Sequence, residues 1–159
     1  MIPKIIDLQT KNVVGISQEM SLDDNTTFEL WKKFRVRSKE VSNRSSDDFI
    51  SLQEYPAGYF QEFSPIRKYV KWACIEVENF NSVPEEMNNL VLEGGLYAVF
   101  NYKGTAKNAQ AFFQYIYGEW IPKSDYSLDN RPHFEVLGAK YKNNDPDSEE
   151  EVWIPIKVK

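Results

Sequence analysis

Apolar residues recur along this chain with two different periods. Alternation, or short apolar runs bounded by turn residues, predicts strands at about 4–8, 12–20, 49–55, 68–77, 96–102 and 133–141. "NLVLEGG" reads as a further short strand ending in two glycines, "YFQEF" (59–63) as another, and "EVWIPIKV" as the last. A period near 3.6 predicts two helices. The first runs from about Thr27 to Phe34, capped by Asn25 or Thr26, with Phe28, Trp31 and Phe34 on one face. The second, over 106–120, is the clearest element: Ala109, Phe112, Phe113, Ile116, Tyr117 and Trp120 fall at i, i+3, i+4, i+7, i+8 and i+11. Thr105 is placed to cap it and Pro122 to end it. "RSKEVSNRSSDD", "SDYSLDNRP" and "KNNDPDSEE" read as loops or turns, and "ENFNSVPEEMNN" as a connector.

The pattern repeats. Trp72, Ile75 and Val77 in "KWACIEV" match Trp153, Ile156 and Val158 in "VWIPIKV" at one spacing, 81 residues on (153 − 72). Val13–Ile16 aligns with Tyr97–Phe100, Trp31 with Trp120, and Glu54 with Glu135. Each half reads strand, helix, strand, strand. This predicts an α+β fold in which two pseudo-symmetric strand–helix–strand–strand modules form an antiparallel sheet, with helices packed on one face. A single domain over 1–159 is expected, with module one at about 3–78, a connector at about 79–90 and module two at about 91–158. Pockets favour the junctions between packed elements, so the duplication also predicts a central ligand groove.

Composition narrows the functions. The chain is 42% hydrophobic and 27% charged, as globular chains are. Aromatic residues reach 14%, enough to line a pocket as well as a core. A net charge of −5 argues against direct nucleic-acid binding, which calls for a basic face. The one basic cluster, "KKFRVRSK" (32–39), reads as a solvated helix face. The single cysteine, Cys74, excludes an internal disulfide framework and a thiolate metal cluster and suits a reducing cytoplasm. "MIPKIIDLQ" does not have the form of a signal peptide, and no apolar run reaches membrane-span length. A cytoplasmic, non-membrane protein is the expectation. His133 is the only histidine, and no HExxH, P-loop, dinucleotide fingerprint or EF-hand spacing occurs. Neither a metal nor a cofactor is therefore expected.

Among the candidate site residues Glu135 stands first. In the strand "HFEVLG" alternation puts it on the face opposite Phe134 and Val136. It reads either as a solvated carboxylate or as one at the base of an aromatic pocket, where desolvation raises its pKa and a cationic ligand would offset that cost. In the last strand Val152, Ile154, Ile156 and Val158 face one way, which suits packing beneath the helices, and Trp153 the other, which offers it as a neighbour of Glu135. Pro155 cannot donate to a ladder, so the strand is expected at an edge or bulged there. Tyr97, Tyr55, Trp72 and Trp120 complete the candidate ligand-binding set, each with core packing as the alternative reading.

"EGGLYAVFNYKG", a helix ending "YGEWIPKSDY", then "RPHFEVLG" and "EEEVWIPIKV" together resemble the GyrI-like small-molecule-binding family, also called the bacterial transcription-activator effector-binding domain. The resemblance is strongest over 93–158 and extends over 3–78. It implies the same two-module fold and the binding of lipophilic, often cationic, small molecules between the modules, as in multidrug binding. The acidic residue of the family's "FE" motif falls on Glu135, and its aromatic groove residues fall on Tyr97, Trp120 and Trp153. Many relatives carry a DNA-binding helix-turn-helix ahead of this domain. Here the resemblance begins almost at residue 1, which reads as a stand-alone member.

Three functions stay open at this point. The first is sensing or sequestration of a lipophilic or cationic organic molecule in an aromatic groove around Glu135. The second, implied by hydrolases among the relatives, is opening of strained cyclopropyl electrophiles with Glu135 as general base. The third is a protein-interaction role such as gyrase inhibition. Monomer and homodimer are both compatible with the sequence.

Overall fold

The computed structural model describes residues 1–159. Nine strands form: β1 (Lys4–Leu8), β2 (Lys11–Ser21), β3 (Phe49–Glu54), β4 (Lys68–Val77), β5 (Asn88–Leu92), β6 (Gly95–Lys103), β7 (Tyr126–Leu128), β8 (His133–Leu137) and β9 (Glu149–Val158). Helix α1 (Thr27–Arg37) follows β2, and α2 (Ala109–Tyr115) follows β6. The strand order is β1-β6-β9-β8-β3-β4-β2-β5, with β7 beside β9, and neighbouring strands pair antiparallel throughout. Two strand–helix–strand–strand units are thus present, β2-α1-β3-β4 and β6-α2-β8-β9, joined edge to edge through β3 and β8. No helix is long and apolar enough to cross a membrane.

The outer strands explain the shape of the sheet. β1 pairs with β6 and β5 with β2, so each unit is flanked by the strand that precedes the other. Only Gln9 and Thr10 separate β1 from β2, yet those strands lie near opposite ends of the order. The sheet must therefore curl until its ends meet. The β1–β2 and β5–β6 connections touch where the Gly94 N–H donates to Thr10 Oγ1 at 3.1 Å. A Cβ at position 94 would collide with the Leu8 carbonyl oxygen and lie 2.9 Å from Thr10 N, so the crossing tolerates only glycine.

Curling divides the apolar residues into three cores. Leu30 and Phe34 of α1 pack on Val14, Ile16, Ala73 and Ile75. Phe112 and Ile116 pack with Ala98, Phe100, Val152 and Ile154 on the same side of the sheet. The concave side holds the third core, which includes Leu8, Leu52, Trp72, Leu92, Tyr97 and Phe134, with no helix residue in it. The inward alternation of β9 holds for Val152, Ile154 and Ile156, which are buried beneath α2, but not for Val158, which is 68% exposed at the strand's end.

Several local elements differ from the reading of the sequence. Residues 59–63 form a turn rather than a strand, and β7 forms inside the predicted loop "SDYSLDNRP". Strand β8 stops at Leu137. Leu30, not Phe28, completes the buried face of α1, and Phe28 is 74% exposed. Asn25 Oδ1 accepts from the Thr27 N–H at 3.0 Å, while Thr26 at the cap position makes no side-chain capping bond. Beyond α2 the rod widens into a π-turn at Ile116–Trp120 and closes with one more turn at Ile121–Lys123. Pro122 does not end it, because a proline in the first turn of a new segment needs no N–H partner. Pro155 is not on an edge strand either. β9 is interior, and the proline falls between its pairing with β8 at Glu151–Trp153 and its pairing with β7 at Ile156–Val158.

Candidate functional site

The helices cover β2 and β4 on one side and β6 and β9 on the other. β3 and β8 run between them. Their register is Ser51 opposite Glu135, Leu52 opposite Phe134 and Gln53 opposite His133. Alternation sends Leu52 and Phe134 into the concave core. Ser51, Gln53, His133 and Glu135 therefore share the helix-side face, at the floor of the groove between α1 and α2. The register also fixes the repeat. Leu52 stands opposite Trp72, and Phe134 opposite Trp153. The counterpart of Glu135 is thus Gln53, not Glu54. Glu54 instead accepts a 2.6 Å hydrogen bond from Trp72 Nε1 on the concave side.

This polar floor is buried: Ser51, Gln53 and His133 are each no more than 7% exposed, and Glu135 is half-buried. Burial raises the Glu135 carboxyl above its ordinary range, opposed by the charge of Lys71 and by the Gln53 amide. Lys71 lies opposite Gln53 on β4. Glu150 on β9 is pushed up to about 7, by burial first and then by the charge of Glu135. Burial lowers His133 to about 3, so its ring is neutral. Its Nδ1 shares a 3.0 Å hydrogen bond with the Tyr117 hydroxyl.

Aromatic rings wall the floor. Tyr55 meets the His133 ring edge-on at 4.9 Å and lies tilted against Tyr69 at 5.3 Å. Phe60 stacks on Tyr117 at 4.9 Å and on His133 at 5.2 Å. Burial raises the Tyr55 and Tyr117 hydroxyls strongly and Tyr69 to about 12, and the charge of Glu135 adds to all three. They are neutral donors beside a carboxyl, in a mostly apolar wall.

Of the candidates read from sequence, the structure brings Tyr55 and Glu135 together. Tyr97, Trp72 and Trp153 lie on the other side of the sheet. Trp153 stacks on Phe134 at 5.2 Å and meets Tyr97 at 5.8 Å, and Tyr97 donates to the Pro132 carbonyl. Trp120 packs against Phe100 and Tyr126 on the flank of α2, and lines a surface cleft of about 290 Å³ with Tyr115, Glu119, Lys123 and Ser124. A second cleft, about 400 Å³, includes Asp48, Gly138 and Glu149–Glu151. Neither contains Glu135, Tyr55, Tyr117 or His133, although Glu150 lines the second. The residues that sequence reading missed are Tyr117, His133, Gln53, Phe60 and Tyr69. A lone histidine two places before a strand glutamate was the one local signal, since alternation puts the two on one face.

Comparison with known proteins agrees with this architecture. The model of the GyrI-like small molecule binding domain matches residues 1–157. The transcriptional regulator BrlR of Pseudomonas aeruginosa is 28% identical over 156 residues, 96% of this chain and 54% of that protein. The chain thus spans about half the length of this curated relative. The structure of SAV2435 bound to tetraphenylphosphonium superposes with a TM-score of 0.73 at 15% identity, covering 99% of this chain and 94% of that one. EcmrR in its complex with DNA gives 0.71 at 13% identity, covering 98% and 57%. With the curled two-unit sheet, its inter-helix groove and a family match running almost end to end, the chain belongs to the GyrI-like small-molecule-binding domain family.

Proposed function

We propose that the chain binds lipophilic organic cations in the groove between α1 and α2, with the Glu135 carboxylate as counter-charge and Tyr55, Tyr69 and Tyr117 as walls. The observation that carries this reading is a carboxyl held above its ordinary pKa by burial among aromatic rings. A buried carboxylate is costly unless it is paired. A cation that leaves water with its own apolar bulk would supply the charge, and the rings would add cation–π attraction of about 0.5–2 kcal/mol per contact. Tetraphenylphosphonium, held by SAV2435, is a molecule of this kind. The biological role that fits is sensing or sequestration of such compounds in the cytoplasm, and the regulator BrlR favours sensing.

Calorimetric titration with tetraphenylphosphonium tests the proposal in wild type and Glu135→Gln. Binding by wild type, weakened about ten-fold in the variant, supports it; that factor corresponds to about 1.4 kcal/mol. Equal affinity in the two proteins removes Glu135 from the site.

A further inference from the structure

We propose that the hydrogen-bonded pair Tyr117–His133 is a stacking platform for one planar aromatic ring of the ligand, and that Phe60 of the same chain holds that place in this structure. The inference rests on the groove reading above and deepens it by naming the side chain that an aromatic ligand must displace.

The geometry is that of a ring laid over two others. Phe60 is inclined by 28° to Tyr117 and by 23° to His133. The two platform rings are 6.1 Å apart and tilted by 41° to each other, with Phe60 inclined less to each than they are to one another, and they are tied by the 3.0 Å contact between hydroxyl and Nδ1. Both are uncharged. An electron-poor ring stacks on such a surface more favourably than the phenyl group of Phe60. Glu135 shares the strand face of His133 two residues along, so the positive charge of a stacked ligand would lie beside it.

The segment that carries Phe60 has few backbone bonds to the rest of the chain. Between β3 and β4 it is bonded mainly to itself: Tyr59 N–H to Pro56 O, Glu62 N–H to Gly58 O and Arg67 N–H to Ser64 O. The Arg67 guanidinium donates to Gly58 O at 2.9 Å. One backbone bond ties it to another part of the chain, from Asp23 N–H to Pro65 O. Phe63 and Ile66 on the same segment are 54% and 71% exposed, whereas Tyr59, buried against Tyr55 and Tyr69, anchors it to the core. With Tyr59 left in place, releasing the Phe60 side chain breaks its ring contacts with Tyr55, Tyr59, Tyr117 and His133 and none of these backbone bonds.

The test uses proflavine, a planar aromatic cation, and tetraphenylphosphonium, which is not planar. Both are titrated into wild type, Phe60→Ala, Phe60→Leu and Tyr117→Leu, with folding checked by circular dichroism. Proflavine is expected to bind Phe60→Ala three- to ten-fold more tightly than wild type, and Phe60→Leu to an intermediate degree. Tyr117→Leu is expected to lose at least five-fold. In wild type the Phe60 ring protons should leave their ring-current-shifted positions as proflavine saturates. If proflavine binds wild type and Phe60→Ala equally, or the Phe60 resonances stay in place, the platform proposal is overturned while cation binding stands. If neither cation binds any of the four proteins, both this inference and the groove reading fall.

Discussion

Ser51 stands directly opposite Glu135 in the β3–β8 ladder, between the two regions that the helices cover. Glu135 thus faces a small neutral residue rather than a cation, and the opposite charge that acts on it is on the next strand, at Lys71. Replacing Ser51 by Lys would place a permanent cation there. Loss of tetraphenylphosphonium binding by at least ten-fold in Ser51→Lys, measured by calorimetry, is the expected outcome. Unchanged affinity would show that the ligand does not use the Glu135 charge.

The raised pKa of Glu135 sets the pH dependence of binding. A ligand with a fixed positive charge needs the ionised carboxyl. Its affinity should therefore fall as pH drops through the raised value, at a higher pH than an ordinary glutamate would give. The Glu135→Gln variant should show no such fall.

Stability responds to the neighbouring carboxyl in the opposite direction. Glu150 titrates near 7 in the fold against 4.5 for an ordinary glutamate. Between those values the folded chain holds a proton that the unfolded chain has released. Stability from this group is fully present below 4.5 and is lost as pH rises through 7. His133, lowered to about 3, works the other way, and its contribution is lost as pH falls below 6.5. The comparison of wild type with Glu150→Gln isolates the first effect: the melting temperature of wild type should fall more steeply between pH 5.5 and 8.

The crossing of the two connections at Gly94 predicts a sharp structural cost. Gly94→Ala forces its methyl against the Leu8 carbonyl and Thr10. A loss of about 1–3 kcal/mol in urea unfolding is expected, as for overpacked sites. A loss below that range would mean that the two loops separate easily.

The concave side of the sheet should be separable from the groove. Trp72→Phe removes the hydrogen bond to Glu54 and shrinks the buried indole to a phenyl ring, which together cost about 1–3 kcal/mol of stability. Tetraphenylphosphonium affinity should stay within two-fold of wild type, because Trp72 faces away from Glu135. A large loss of affinity in a folded variant would place the ligand on the concave side.

Much of this protein was legible in order of residues alone. The periods of 2 and 3.6 marked the main strands and both helices, and the spacing of Trp72 and Trp153 showed the two-unit plan. Alternation correctly set Glu135 apart from Phe134 and Val136, because successive side chains on a strand point to opposite faces whatever surrounds them. Tertiary structure decided which residues meet across strands. Register placed Trp153 beside Phe134 and not beside Glu135, and made Gln53 rather than Glu54 the counterpart of Glu135. The π-turn at Ile116–Trp120 lets Tyr117 reach His133 while Trp120 packs on Phe100. The loop from Tyr55 to Arg67 folds back so that Phe60 covers both rings. Phe60 and Tyr117 lie far apart in the chain, and no local pattern encodes their contact. It arises from hydrogen-bond register and the curl of the sheet, which depend on every strand at once.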